Sequence, residues 1–146
     1  MGTIKLTPDF KEFLKLLNSK RVEYLLIGGY AVGYHGYPRP TGDMDIWVAR
    51  TRDNAQRLVE ALAKFGFTCP AELLLQENQL VRMGVPPFRI EILTTIDGVE
   101  FSECYAARLQ TLLDDVEVNL IGLSDLKVNK KASGRSKDIT DLENLP

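Results

Sequence analysis

The spacing of apolar and polar residues along the chain predicts alternating helices and strands. Apolar residues recur three and four positions apart over residues 10–17 and again over residues 53–65, which is the spacing of a helix with one buried face. Thr7 and Asp53 are expected to cap these helices, and Gly66 is expected to end the second. Short apolar or alternating runs predict strands at residues 24–27, 43–49, 79–83, 88–94 and 117–121.

The C-terminal third is predicted to be mostly helical. Ser124 is expected to cap a basic helix that runs to Ser133 and stops at Gly134. Ser136 is expected to cap a last short helix whose inward-facing residues are Ile139, Leu142 and Leu145. Residues 104–113 fit either a helix or a loop.

Composition and charge narrow the class of protein without indicating an activity. Hydrophobic residues make up 45% of the 146 residues, charged residues 26%, and the net charge is −2, so nothing in the composition marks the whole chain as a nucleic-acid binder. Together with the element pattern, this predicts one α/β (α+β) domain over residues 1–146, with a mixed β-sheet of about four to five strands flanked by helices. The chain lacks an apolar run of membrane-spanning length and a signal-peptide pattern, so we expect a cytoplasmic protein with no membrane partner.

Two carboxylates, Asp43 and Asp45, lie two positions apart at the start of the second predicted strand. Side chains at this spacing point to the same face of a strand, and two like charges so close repel each other unless a cation lies between them. Mg²⁺ binds one or two carboxylates together with substrate phosphates. The pair therefore indicates a phosphate-handling metal site, although solvated aspartates at a strand edge would show the same spacing.

Two further features fit such a site. Gly28 and Gly29 lie between a buried strand and a short helix, where free N–H groups and the helix dipole favour phosphate, although the pair alone also fits a tight turn. Glu91 lies between two isoleucines in a later predicted strand. If that strand pairs with the strand of the aspartates, three carboxylates can hold two metals that activate an attacking oxygen and stabilise a leaving pyrophosphate.

The chain combines four motifs: Gly28-Gly29, Arg39-x-Thr41-x-Asp43-x-Asp45, Glu91 and the basic run 129–138. The first three together resemble the nucleotidyltransferase superfamily with the DNA polymerase beta-like palm. The basic run is similar to a small prokaryotic branch of AbiEii-like toxin–antitoxin components and minimal nucleotidyltransferases. The resemblance covers about residues 20–145.

The resemblance implies a nucleotidyltransferase palm and an enzyme that moves a nucleoside monophosphate from an NTP to a hydroxyl, with Mg²⁺ or Mn²⁺ as cofactor. It allows a protein side chain, a tRNA 3′ end or a small molecule as acceptor, and a cognate toxin or antitoxin as partner. Asp43, Asp45 and Glu91 would bind the metals, and Glu91 would also deprotonate or orient the acceptor hydroxyl. The commonest family pattern has Asp at this third position. With Glu91 there, two alternatives remain open: nucleotidyl transfer, and nucleotide binding without transfer.

The remaining roles concern phosphate. The resemblance implies that Gly28 and Gly29 hold the triphosphate and that Lys130 points towards it, although a solvated helix face is an alternative for Lys130. Arg39 and Thr41 are expected near phosphate because they directly precede the aspartates; Arg39 could equally pack over a neighbouring tyrosine.

Two other functions remain open on the sequence. A non-catalytic antitoxin or regulator that keeps the fold and binds nucleotide would carry the same motifs, and the small size supports it because no separate acceptor-binding domain is visible. A generic α/β binding module without nucleotide would need all four motifs to coincide by chance.

Trp47 shares the predicted face of Asp45, where it would pack in the core or at the far end of the site.

Overall fold

The computed structural model describes residues 4–146, and in these residues one mixed sheet contains six strands. The strands are β1 (Tyr24–Ile27), β2 (Met44–Val48), β3 (Leu80–Met83), β4 (Ile90–Leu93), β5 (Leu109–Leu113) and β6 (Val116–Leu120). Their order across the sheet is β3-β4-β2-β1-β6-β5. β2 and β4 are parallel, as are β1 and β6, and the other neighbours are antiparallel. The predicted mixed α/β class is confirmed, with more strands than the four to five expected, whereas the single domain over residues 1–146 stays a prediction.

Helices and one 3₁₀ turn connect the strands. They are α1 (Pro8–Ser19), α2 (Gly28–Tyr34), α3 (Arg52–Phe65), a 3₁₀ turn (Leu73–Leu75), α4 (Phe101–Ala106), α5 (Leu123–Ser133) and α6 (Ser136–Asn144). Thr7 caps α1 as predicted, because its hydroxyl accepts from the backbone N–H of Phe10 at 3.1 Å. Gly66 ends α3 with a left-handed φ of 99°. No helix in residues 4–146 is both long and apolar enough to cross a membrane.

Three predicted caps are wrong. Thr51, not Asp53, caps α3, because the Thr51 hydroxyl accepts from the backbone N–H of Asn54 at 3.2 Å and Asp53 already lies in the first turn. Ser124 and Ser136 likewise lie inside their helices, with N-caps at Gly122 and Arg135. In α6 the carboxylate of Asp138 reaches back to the Arg135 N–H at 3.2 Å, which leaves no capping role for a serine hydroxyl.

The ambiguous segment 104–113 is divided between α4 and the edge strand β5. β5 joins β6 through Asp114 and Asp115, which have φ values of 47° and 66°. Two consecutive residues at positive φ make the tight turn that suits a two-residue hairpin. Strand β4 is shorter than the predicted 88–94, since Phe88 lies before it and is 54% exposed.

Helix α1 packs against α3 and β6, and Phe13 meets Phe65 edge to face at 5.1 Å between ring centroids. Trp47 is buried, as expected for a core residue, and packs edge to face on Phe101 of α4. The inward face predicted for α6 is wrong for Ile139, which is 49% exposed. The fully buried side chains of α6 are instead charged, and the reason is the set of ion pairs described below.

Candidate active site

Asp45 and Glu91 are direct neighbours across the central pair of parallel strands. Asp45 of β2 stands in register with Glu91 of β4, so their side chains project from the same face of the sheet. Asp43 directly precedes β2 and lies two residues before Asp45. The strand pairing on which the three-carboxylate cluster depends is therefore present.

Negative charge in this cluster is only partly compensated. Burial and the nearby Glu91 carboxylate raise the pKa of Asp45 to about 6, against the opposing effect of Lys137 and Lys130. Burial and the adjacent Asp43 carboxyl raise the pKa of Glu91 as well. A cation at this position would lower both pKa values, because it favours the charged forms that burial and the neighbouring carboxylates disfavour.

Arg89 supplies part of that compensation. Its Nη2 lies 3.2 Å from Asp43 Oδ2 and 3.9 Å from Glu91 Oε1, and its backbone N–H also donates to Asp43. Burial would raise the pKa of Asp43, but the bonds from Arg89 outweigh it and lower the pKa. Among the described residues 4–146, the buried Nε of Arg89 has no hydrogen-bond partner. Sequence reasoning did not single out Arg89, although the period-two alternation of the strand places it on the face of Glu91.

The three carboxylates suit Mg²⁺ in their chemistry, because this ion prefers oxygen ligands. As the side chains stand, however, no three His, Cys, Asp or Glu residues within 4–146 are arranged to hold a metal ion. Asp43 pairs with Arg89 instead. Metal binding by Asp43, Asp45 and Glu91 therefore stays a prediction, and in it the ion would compete with Arg89 for the Asp43 carboxylate.

The two glycines pack directly against this cluster and against the loop before β2. Gly28 has a φ of 68°, and a Cβ at this position would collide with the Asp45 carboxylate. A Cβ at Gly29 would lie 2.9 Å from the Thr41 Cβ, closer than side chains approach. Glycine is thus required at both positions on steric grounds, and binding of phosphate by this turn stays a prediction.

A cleft of about 350 Å³ opens above Asp45 and Glu91, whereas Asp43 is not part of its lining. It brings together residues from the glycine turn, the two central strands and the C-terminal helices, among them Gly28, Asp45, Glu91, Lys130, Arg135 and Lys137. Gly29, Arg39 and Thr41 lie to one side and line a separate cavity of about 240 Å³. One wall of the cleft is therefore acidic and the opposite wall is basic, which is the charge distribution needed by a metal and a polyphosphate.

A family model described as nucleotidyltransferase of unknown function (DUF6036) matches residues 5–145. The chain belongs to this nucleotidyltransferase family. The fold is similar to that of a candidate nucleotidyltransferase (TM1012) from Thermotoga maritima, with a TM-score of 0.61 at 13% identity over 96% of this chain and 94% of that one. It is also similar to the lincosamide antibiotic adenylyltransferase LnuA in its lincomycin-bound structure, with a TM-score of 0.57 at 14% identity over 97% of both chains. A comparison with curated protein sequences gives no match.

At such low identity the two structures support only the fold, which they share across nearly its whole length. Nucleotidyl transfer is supported by the family to which the chain belongs. The AbiEii-like branch suggested by the basic run stays a prediction.

Lys130 is buried between two carboxylates rather than solvated on a helix face. Its Nζ lies 3.2 Å from Asp138 Oδ1 and 3.1 Å from Asp141 Oδ2, and only 4% of the residue is exposed. Arg135 donates to Asp138 at 2.8 Å through its Nε. Burial would raise the pKa of Asp138, but the bonds from Arg135, Ser133 and Lys130 hold that pKa far below its ordinary value.

Arg39 belongs to the same ion-pair network. Its Nε and Nη2 bind the two oxygens of Asp141 at 2.8 and 2.9 Å, the geometry of a bidentate pair. The network, formed by Arg39, Lys130, Arg135, Asp138 and Asp141, therefore joins α5 and α6 to the loop before β2. Sequence reasoning missed Asp141, although Asp138 and Asp141 are three residues apart and so share one face of α6.

Proposed function

We propose that this protein transfers a nucleoside monophosphate from an NTP to a hydroxyl acceptor and releases pyrophosphate, with Mg²⁺ or Mn²⁺ bound by Asp43, Asp45 and Glu91. The observation that carries the proposal is the register of Asp45 beside Glu91 at the floor of the cleft. The raised pKa values of both groups support it, because burial and the neighbouring carboxylates disfavour their charged forms and a bound cation would favour those forms.

Positioning and charge neutralisation account for most of the rate enhancement in phosphoryl-group transfer. When bound, the metal would stabilise the negative charge of the triphosphate and of the leaving pyrophosphate. Backbone N–H groups of Gly28 and Gly29 would hold the triphosphate at the start of α2. Glu91 would accept the proton of the acceptor hydroxyl, since a carboxylate with a raised pKa is the stronger base.

Lys130 would act on the nucleotide from the cleft, and Arg39 would act from the neighbouring cavity that it lines with Gly29. Asp138 and Asp141 hold both cations, so that their charge is applied to the triphosphate without reorganisation during the reaction. The three cations and two carboxylates of the network leave one net positive charge beside the cleft. Thr41 would keep the glycine turn in place through its contact with Gly29.

Three acceptor classes fit this proposal: a protein side chain, a tRNA 3′ end and a small molecule. A small-molecule acceptor is proposed by analogy with LnuA, a lincosamide antibiotic adenylyltransferase of similar fold. The sequence resemblance to toxin–antitoxin components supports instead a macromolecular acceptor in the cytoplasm and a cognate toxin or antitoxin encoded in the neighbouring gene.

One observation favours a second candidate, a nucleotide-binding antitoxin or regulator without transferase activity. Arg89 binds Asp43 in the position where a metal would be needed, and Glu91 replaces the commoner aspartate. A protein in which this pair persisted would bind nucleotide through the basic wall of the cleft and would not transfer it.

A labelling assay separates the two functions. The protein is incubated with Mg²⁺ or Mn²⁺, each α-labelled NTP and an acceptor mixture of tRNA, protein lysate or metabolites, alongside Asp45→Asn and the surface control Asp9→Asn. Transfer that Asp45→Asn abolishes and Asp9→Asn retains supports the enzyme. Nucleotide binding by calorimetry without any transfer supports the regulator, and the absence of NTP binding overturns both.

A further inference from the structure

A second cavity, of about 450 Å³, adjoins the cleft. Thr95 and Ile96 line both spaces, so the two are neighbours over the same part of the sheet. Trp47 lines the second cavity and follows Asp45 by two residues on the same face of β2. The cavity therefore begins about 7 Å along the strand from the carboxylates, and its volume is typical of a small-molecule site.

Apolar and aromatic side chains form one part of the lining of this cavity, and polar or charged side chains form the rest. Phe101 meets Trp47 edge to face at 5.1 Å and stacks on Tyr105 at 5.3 Å, and Val48 and Val99 also line the space. The Trp47 indole nitrogen is buried and has no hydrogen-bond partner within residues 4–146. A buried donor is normally paired, and a ligand oxygen that reached this N–H would pair it.

Charge limits the kind of ligand that fits. The cavity is lined by Glu23, Glu77 and Glu100 and by a single cation, Arg50, which lies 3.5 Å from Glu77. This surplus of negative charge opposes phosphate-rich ligands such as an RNA end and favours neutral or cationic ones.

We infer that this cavity binds the acceptor, and that the acceptor is a small, neutral or cationic molecule with a ring and a hydroxyl group; the inference rests on the proposed function. The ring would pack against Phe101 and Tyr105, and the hydroxyl would point along β2 towards Glu91. The acceptor oxygen forms a bond to the α-phosphorus while the bond from that phosphorus to the bridging oxygen breaks. Pyrophosphate leaves with the electron pair of that bond, and the hydroxyl proton passes to Glu91.

The fluorescence of Trp47 offers a direct test, because it is the only tryptophan in the chain and it lines the cavity. The probe is 2-amino-1-phenylethanol, which carries a ring, a hydroxyl and a positive charge. The matched control is mandelate, which has the same ring and hydroxyl but a negative charge. We expect a saturable change in Trp47 emission with the amino alcohol and binding at least tenfold weaker with mandelate.

Two substitutions on the short helix α4 test whether the change in Trp47 emission comes from binding in this cavity. Ser102 is exposed and lines the cavity, so the larger side chain in Ser102→Phe should fill the cavity. We expect this variant to bind the amino alcohol at least tenfold more weakly than the wild type does. Glu103 is also exposed but is not part of the lining, so Glu103→Phe should bind the probe as the wild type does. An unchanged emission in the wild type, equal binding of mandelate, or no effect of Ser102→Phe would overturn the inference.

The acceptor role is then separated from the proposed nucleotide site. Asp45→Asn should lose NTP transfer and keep the Trp47 response to the amino alcohol. In the wild type, ring-bearing amino alcohols should become labelled from α-labelled NTP, and Ser102→Phe should reduce this labelling while it leaves NTP binding intact. NTP binding together with label only on tRNA or protein would overturn the acceptor inference alone, whereas absence of NTP binding would overturn it together with the proposed function.

Discussion

Arg89 Nη2 lies 3.2 Å from Asp43 Oδ2 and thus holds one of the three carboxylates that would bind metal. Because the guanidinium and a divalent cation compete for the same carboxylate, Arg89→Met should raise the affinity for Mg²⁺ or Mn²⁺ by about tenfold, equivalent to about 1.4 kcal/mol. Titration with Mn²⁺ followed by electron paramagnetic resonance measures this change. Arg82→Met is the control, since Arg82 is 56% exposed and lies 3.7 Å from Glu91, and its effect should be much smaller. Weaker Mn²⁺ binding by Arg89→Met would contradict competition.

Asp45 should destabilise the metal-free protein at neutral pH. Its pKa is raised from 3.8 to about 6, because burial and the neighbouring carboxylates disfavour the charged form. The shift corresponds to roughly 3 kcal/mol, so Asp45→Asn should increase the free energy of unfolding by up to about that amount at pH 7. Urea denaturation in the presence of EDTA measures the difference.

The same shift predicts a pH dependence for the wild type. Between pH 3.8 and about 6 the folded state keeps the Asp45 proton that the unfolded state has released. The contribution of this residue to stability is therefore full below pH 3.8 and is lost as the pH rises to about 6. The stability difference between Asp45→Asn and the wild type should grow over this window. A difference that stays constant from pH 4 to pH 7 would show that the carboxylate does not titrate as described.

Lys130 and Lys131 are adjacent in sequence but differ in their surroundings. Removal of the Lys130 charge would leave Asp138 and Asp141 buried with less compensation, so Lys130→Met should cost about 3–5 kcal/mol of unfolding free energy. Lys131 is exposed, and Lys131→Met should change stability by less than about 0.5 kcal/mol. Thermal and urea unfolding of the pair measure this contrast, and equal stability of the two variants would refute the structural role of Lys130.

Two glycines of α2 provide a test of close packing at the turn. Gly29→Ala should destabilise the protein by about 1–3 kcal/mol, because the new Cβ would overlap Thr41. At Gly33 the nearest atom to an added Cβ is 3.9 Å away, so Gly33→Ala should be tolerated or slightly stabilising. Circular dichroism melts of both variants measure the effect, and Thr41→Ser should not rescue Gly29→Ala, since serine keeps both contacting atoms. Equal melting temperatures for the two alanine variants would contradict this packing.

The sequence predicted the parts of the fold whose signals are local and regular. Helix α3 and strands β1 and β2 follow from hydrophobic periodicity. The placement of Gly28 and Glu91 beside Asp45 followed from motif spacing combined with a family resemblance. Strand β5 was missed because its edge position leaves most of its residues exposed, so that it lacks an alternating pattern. Its turn, Asp114-Asp115, also lacks the glycine that usually marks such a hairpin.

The site was less predictable where it depends on distant pairing. In the sequence, Asp138 and Asp141 have the pattern of exposed residues on a short helix. The fold buries both, because it places Lys130 and Arg39 beside them. The hydrogen bond from Arg89 to Asp43 likewise depends on strand β4 lying beside β2. Hydrophobic periodicity and secondary-structure propensity describe one segment of the chain at a time. They therefore carry no information about contacts between distant segments.

Helix α6 makes the position of Arg39 depend on a distant part of the chain. Arg39 is bound by Asp141, which is 102 residues further along the chain. Closing a loop of that length costs conformational entropy before the contact can repay it, so such a pair forms once the intervening strands are in place. A substitution that weakens the packing of α6 should therefore also loosen the loop before β2 that carries Arg39.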